Sequence, residues 1–295
     1  MSVSSAHLDR IRASFPTLTL DSVRHNPDGL ANDVIVVNDE LVFRFPKDEE
    51  ARAALAREAK ALDLVRRYVA TPVPYFERHE DDFVMYRLIR GEPLYRRTIL
   101  SQDDHAQEQL AEELATFLRQ LHTIPRDEAV CELGESAPRE LDYWLKRYQE
   151  VEQYLFPLLW ADQRQWIVDL FAPALEGSLD LAHATPALIH DDLAAYHILY
   201  ARLERQITGV IDFGMARLGD PAADFALIIS TYGESFLKRM SRYDPMIRDA
   251  LDRARFLAGA LELSWAVEGV RASDPSWLLV HIGRARDVLP LGVTW

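Results

Sequence analysis

Two short stretches of this chain carry residues whose types and order suit chemistry at a phosphorus centre. The first is His190-Asp191-Asp192-Leu193-Ala194-Ala195-Tyr196-His197; the second is Ile211-Asp212-Phe213-Gly214. The first follows the pattern H-x-D-x-x-x-x-N of phosphoryl-transfer catalytic loops, with histidine where asparagine usually stands. The second is a D-F-G turn with an apolar run in front of it. Asp-Phe-Gly alone arises by chance in many proteins. In this order, with Asp212 following Asp192 by 20 residues, the two stretches point to phosphoryl transfer.

The residue types fit that chemistry. A loose phosphoryl-transfer transition state leaves the protein mainly positioning and charge to contribute. Asp192 is placed to accept a proton from an attacking hydroxyl. Asp212 offers hard carboxylate oxygens to Mg²⁺, which would bridge nucleotide phosphates. His197 takes the second metal position, where a neutral imidazole donates a lone pair, although nitrogen suits Mg²⁺ less well than oxygen. The bland alternative is a loop of capping aspartates beside a β-hairpin, with His197 as a satisfied core histidine.

Both acidic groups need a rigid base. Ala187-Leu188-Ile189 leads into the first stretch and Ile198-Leu199-Tyr200 leaves it. After a polar turn at 201–206, Ile207 to Ile211 forms a second run that delivers Asp212 at its end. Such strand–turn–strand geometry holds two carboxylates on a fixed support.

Residues 33–45 alternate and are β-rich, with a turn at Asn38-Asp39-Glu40, so they read as a hairpin ended by Pro46. Asp48 to Tyr68 is helical, with Leu55, Ala59, Leu62 and Val65 on one stripe. Residues 75–78 and 83–89 can pair as further strands. After Gly91-Glu92-Pro93 the pattern turns to long helices, with stripes at Leu110–Leu121, Leu141–Tyr148 and Trp166–Phe171 whose aromatics read as core. The fold class is therefore α+β and bilobal, like a protein kinase: a small β-rich lobe over 1–90 that binds nucleotide, and a larger helical lobe over 91–295 for catalysis and acceptor.

In the small lobe, Arg44 sits mid-strand between Phe43 and Phe45, which point the other way. Glu58 falls on or beside the buried stripe of its helix, where a charge is costly unless paired. Arg44–Glu58 is the natural pair, matching the strand cation and helix carboxylate of kinases. The alternative leaves Glu58 solvated at the stripe's edge. Lys47 could share the cationic work or be a plain surface lysine. No G-x-G-x-x-G loop is present; Gly29, in Asp28-Gly29-Leu30-Ala31-Asn32, is the candidate phosphate-cradling turn. Main-chain groups of Arg87 and Ile89, in the segment Tyr86 to Gly91, are expected to hydrogen-bond a purine.

The chain has 295 residues, 48% hydrophobic and 27% charged, with a formal net charge of −14. This describes an ordinary globular protein. The acidity argues against a nucleic-acid or anionic-membrane surface and suits a cationic acceptor, although solubility explains much of it. Cys131 is the single cysteine, so no intrachain disulfide forms and a reducing compartment fits. Without an apolar leader or a run of 18 apolar residues, a cytoplasmic protein is expected; a monomer is the separate expectation for its assembly.

Leu41 to Lys47, the Arg57-Glu58 helix, His190 to Leu199 and Ile211 to Gly214 together resemble the aminoglycoside phosphotransferase family, which has a protein-kinase-like fold. The likeness spans almost the whole chain and is nearest to the aminoglycoside 2″-phosphotransferases and the macrolide phosphotransferases. There, histidine replaces the metal-binding asparagine and an apolar pair follows, as in His197-Ile198-Leu199. The resemblance implies that Asp192 is the base, that His197 and Asp212 hold metal, and that Arg44 stands at the phosphate-contacting lysine. It also implies that His190 and the buried Asp224 brace the catalytic loop. Arg44 for lysine departs from the family, and so does Met215, where an acidic or polar residue is usual. The family's acceptor pocket is lined by acidic and aromatic residues of the C-terminal helices, so Glu262, Trp265 and Glu268 are candidates, with Glu234 next; each carboxylate could equally be a solvated helix face.

The leading expectation is a Mg²⁺-dependent kinase that uses ATP or GTP to phosphorylate a hydroxyl of a small molecule, an aminoglycoside first. A macrolide, amino alcohol or sugar acceptor is the second reading. A nucleotide-binding pseudoenzyme is the third, and retention of both Asp192 and Asp212 argues against it.

Overall fold

The computed structural model describes residues 4–26, 31–136, 139–181, 184–274 and 291–295. The chain forms two compact units: Met1–Pro93 with Tyr196–Ala216, and Leu94–Ala195 with Arg217–Trp295. Each unit is thus assembled from two separate stretches of sequence.

The first unit opens with α1 (Ser5–Ser14), β1 (Val23–Asn26), β2 (Asn32–Val37), β3 (Leu41–Pro46), α2 (Glu49–Val65), β4 (Arg78–His79), β5 (Val84–Arg87) and β6 (Glu92–Pro93). The second begins with α3 (Arg96–Leu100), α4 (Asp104–His122), α5 (Arg126–Leu133), α6 (Leu141–Tyr154), α7 (Ala161–Leu175) and β7 (Ala187–Ile189). The chain returns to the first unit for β8 (Ile198–Ala201) and β9 (Gln206–Val210). It completes the second with β10 (Arg217–Gly219), α8 (Ala222–Tyr232), α9 (Glu234–Met240), α10 (Met246–Asp249) and α11 (Leu251–Arg271).

In the first unit, five strands pair in the order β1-β2-β3-β5-β4, with every pairing antiparallel. The β2–β3 hairpin turns through Asn38 and Asp39, whose φ values of 56° and 49° are left-handed. Asn and Asp tolerate that conformation better than other side-chain-bearing residues. Period-2 alternation sorts the strand residues to two faces. Ile35, Val37, Phe43, Phe45, Phe83 and Met85 pack with Ile11 of α1, while Val36, Val42 and Tyr86 cluster separately. Arg44 shares its strand face with Val42, not with Phe43 and Phe45.

Helix α2 starts where the Asp48 side chain accepts from the Ala51 N–H at 2.8 Å, and Glu49 and Glu50 occupy its first turn. Both features favour a helix N-terminus. The periodicity predicts a helix to Tyr68, but it ends at Val65, and residues 66–68 form a turn bonded back to Leu62, Leu64 and Val65. A second sheet, β6-β8-β9, carries an irregularity at Leu199/Tyr200.

In the second unit, β7 and β10 form a two-stranded antiparallel pair among helices. Trp144 of α6 and Phe171 of α7 both meet Phe256 of α11 edge-on, with ring centroids 4.9 and 5.5 Å apart. Not every residue of the expected stripes is buried: Leu141, Leu145 and Trp166 are exposed, while Trp144, Ile167 and Phe171 form core. No helix among the described residues is long and apolar enough to cross a membrane.

Candidate active site

The residues singled out by the sequence fall into both units, and each set has its own scaffold. In the first unit, the Nη1 of Arg44 lies 2.9 Å from the Glu58 carboxylate. Glu58 is fully buried, between Leu55 and Leu62 of α2. The backbone amide of Phe213, in the D-F-G turn, also favours the charged form of Glu58. Complete burial pushes the Glu58 carboxyl up, against the charge of Arg44. Burial alone would pull Arg44 down, but the Glu58 carboxylate outweighs it and keeps the guanidinium firmly protonated.

Asp212 lies two residues beyond the end of β9 and has a left-handed backbone, φ 67° and ψ 66°. This sparsely allowed conformation tends to mark functional turns. Its Oδ2 is 3.3 Å from Nε2 of His197, and the His197 carbonyl accepts the N–H of Ile211 at 2.9 Å. A cation between them would have one carboxylate and one imidazole as protein ligands. Among the described residues no group of three or more His, Cys, Asp or Glu could hold a metal. Mg²⁺ is usually held by one or two carboxylates with phosphate and water supplying the rest, so Asp212 fits, while the His197 imidazole is a softer donor than Mg²⁺ prefers.

Tyr86, at the start of the expected purine-binding segment, is buried near Arg44, and burial pushes its phenol up to about 12. The Arg87 side chain is exposed and pairs with Glu77 at 2.9 Å. Ile89 lies in the irregular backbone after β5, and its side chain fills the space where Gly209 has no Cβ. Lys47 is exposed, with Nζ 3.9 Å from Asp33. Gly29 lies outside the described residues.

In the second unit, the loop after β7 hangs on one carboxylate. Asp224, in the first turn of α8 and fully buried, accepts the N–H of His190 at 3.0 Å, the N–H of Asp191 at 2.9 Å and Nε2 of His122 at 2.9 Å. Burial alone would raise Asp224, but the hydrogen bonds from His122 and the His190 backbone outweigh it and hold the group below the usual carboxylate range. His190 is buried and its Nδ1 accepts the N–H of Asp192 at 3.3 Å. Asp192 is half-buried.

The acceptor candidates are dispersed. Glu234 is buried in a bidentate pair with Arg255 at 2.5 and 3.1 Å and also accepts from the Trp295 indole at 2.9 Å. Glu262 is buried on α11 and Trp265, three residues on, is half-exposed. Glu268 pairs with Arg271, which also reaches Glu150.

Sequence reasoning missed His122 and two arginines that hold Asp191. His122 gave a readable signal: it follows Leu114 and Leu118 at four-residue steps, so it is a polar residue on an apolar stripe, as Glu58 is. Arg139 and Arg217 gave none, because their partner lies 52 and 26 residues away.

Residues 22–276 match the model of the phosphotransferase enzyme family. The chain belongs to this family. It is 30% identical to viomycin phosphotransferase of Streptomyces vinaceus over 219 residues, 70% of this chain and 72% of that protein. The GDP and kanamycin complex of APH(2″)-IIIa superposes with a TM-score of 0.83 at 28% identity, covering 95% of this chain and 97% of that one. Macrolide 2′-phosphotransferase type I shares the fold, with a TM-score of 0.70 at 21% identity over 98% of this chain and all of that one. The protein is a phosphotransferase with the kinase-like fold of this family, and acts on small molecules.

Proposed function

We propose that the protein transfers the γ-phosphoryl group of ATP or GTP to a hydroxyl of a cationic antibiotic, an aminoglycoside first. The observation that carries the reading is the buried Arg44–Glu58 pair beside the turn that holds Asp212 opposite His197. Arg44 presents a permanent positive charge for phosphate oxygens, with Lys47 as a second, exposed cation. Main-chain groups of Arg87 and Ile89 take the base. Asp212 and His197 would hold Mg²⁺, which when bound neutralises charge on the nucleotide phosphates.

Asp192 accepts the proton of the acceptor hydroxyl as its oxygen bonds to the γ-phosphorus. The bond from that phosphorus to the β–γ bridging oxygen breaks, and the nucleoside diphosphate leaves. Asp224 and His190 hold the loop. On this reading Glu262, Trp265 and Glu268 contact the acceptor, while Glu234, saturated by Arg255 and Trp295, shapes the helices around it. The first stretch of the chain, residues 1–90, is nucleotide-binding, and 91–295 supplies base and acceptor pocket.

The relative named for viomycin favours a second acceptor to test beside kanamycin. Purified protein with Mg²⁺ and either ATP or GTP should phosphorylate at least one of kanamycin and viomycin, seen by mass spectrometry. Transfer only to an uncharged metabolite would refute the cationic acceptor, and transfer only to a macrolide would refute the aminoglycoside.

A further inference from the structure

Asp191, between the braced histidine and Asp192, is held more tightly than a loop residue requires. It has a left-handed backbone, φ 60°, a region disfavoured for any residue bearing a Cβ. Its N–H is already bound by Asp224, so the turn closes without its side chain. Yet its carboxylate, only 4% exposed, accepts from Arg217 Nε at 2.7 Å and Arg139 Nη2 at 3.2 Å, both at Oδ2. Arg217 is itself fixed by donating Nη1 to the Leu218 carbonyl at 3.0 Å.

Strand β10 makes room for this fork. A Cβ at Gly219 would lie 2.8 Å from Arg217 Nη1 and 2.6 Å from Ile189 Cδ1, so a larger residue there would make the ends of both side chains shift. Beside the pair lies a cavity of about 280 Å³ lined by Arg126, Arg139, Trp144, Arg217 and Asp220 among others. Two cations on one buried carboxylate oxygen also offset a negative charge that would otherwise stand next to Asp192.

Resting on the reading of Asp192 as the base, we infer that Asp191, clamped by Arg217 and Arg139, is a positioning residue that fixes the backbone from which Asp192 meets the acceptor hydroxyl. A clamp that only stapled β7 to β10 would matter for stability alone. A positioning clamp acts on kcat, because small displacements of a catalytic group cost rate and leave binding intact.

The test compares Asp191→Asn, Asp191→Gly, Arg217→Ala and Asp192→Asn in the full chain. Phosphate release from Mg-ATP and Mg-GTP, and transfer to kanamycin and viomycin, give kcat and KM. Amide hydrogen exchange at residues 190–192 gives the order of the loop. In Asp191→Asn and Arg217→Ala, kcat should fall by about 10²-fold, nucleotide KM should stay within about two-fold, and exchange should quicken. Millimolar guanidinium should restore kcat to Arg217→Ala through the adjoining cavity and do nothing for Asp192→Asn. Asp191→Gly supplies the left-handed backbone without the clamp, so its kcat should stay low.

Wild-type kcat in Asp191→Gly or Asp191→Asn overturns the proposal, as does unchanged amide exchange in Arg217→Ala. Full activity in Asp192→Asn refutes the base itself, and amide exchange then still decides whether the clamp orders the loop.

Discussion

Replacing Glu58 by Gln keeps size and hydrogen-bonding capacity but removes a charge from the Arg44–Glu58 pair. At 2.9 Å and an effective dielectric of about 20, two unit charges attract by about 6 kcal/mol. Desolvation of both groups offsets much of this, since Glu58 is 1% and Arg44 12% exposed. What remains after the substitution is a buried guanidinium without a counter-charge, and such one-sided removal typically costs about 3–5 kcal/mol. Gln keeps a carbonyl oxygen that accepts from Arg44, so the lower end applies, a Tm fall of about 6–12 °C at about 2–4 °C per kcal/mol.

Calorimetric unfolding of wild type and variant measures the loss, and Mg-nucleotide titration measures function. The double replacement of Arg44 and Glu58 by Met separates the two. It removes both buried charges, so stability should return to near wild type, while Mg-nucleotide affinity should stay low because the phosphate-facing cation is gone. A Glu58→Gln protein that loses less than about 1 kcal/mol would mean that the pair behaves as a solvent-exposed one. Recovery of nucleotide affinity in the double variant would show that Arg44 does not serve the phosphates.

Asp192→Ala should retain Mg-nucleotide binding and lose transfer by about 10²–10⁴-fold, the usual worth of general-base assistance; steady-state kinetics checks it. Asp212→Asn should weaken Mg-nucleotide binding in calorimetry more than His197→Asn, because a carboxylate neutralises charge and an imidazole does not. Asp224 is held below its unfolded value of about 3.9, so its contribution to stability is present above that pH and is lost as pH falls through the folded value. The unfolding midpoint of wild type should therefore drop more steeply in acid than that of Asp224→Asn. Neutralising Glu262 and Glu268 should raise the acceptor's KM, leave the nucleotide's nearly unchanged, and blunt its salt dependence, which follows from screening as the Debye length shortens from about 10 Å at 0.1 M.

Local pattern made part of this site readable. Alternation set Arg44 apart from Phe43 and Phe45, a charge on an apolar stripe marked Glu58, and the formed pair joins them. The strands that end at His190 and Asp212 were legible as short apolar runs, observed as Ala187–Ile189 and Gln206–Val210. What stayed hidden depends on tertiary pairing, which leaves no periodicity. The three bonds that converge on Asp224 join residues 33, 34 and 102 positions apart, and the arginines on Asp191 look like surface charge in the sequence. Glu234 is the converse case: the family resemblance offered it as an acceptor-pocket candidate, and in the structure Arg255 occupies its carboxylate. Leu141, Leu145 and Trp166 keep helical spacing yet are exposed, because α6 and α7 bury only part of their apolar stripes.

The return of Tyr196–Ala216 to the first unit has a consequence for how the protein is made. When the ribosome has released Pro93, the five-stranded sheet can pair, but β8, β9 and the D-F-G turn do not yet exist. At about 5–20 residues per second, the missing stretch arrives about 6–25 s later. Through that interval the nascent N-terminal segment carries an ion pair without the turn that lies beside it and a β6 edge without its partner strand. A gene fragment ending at residue 93 reproduces that state permanently, so it should express as an aggregation-prone species, whereas cutting after residue 216 supplies every strand of the unit.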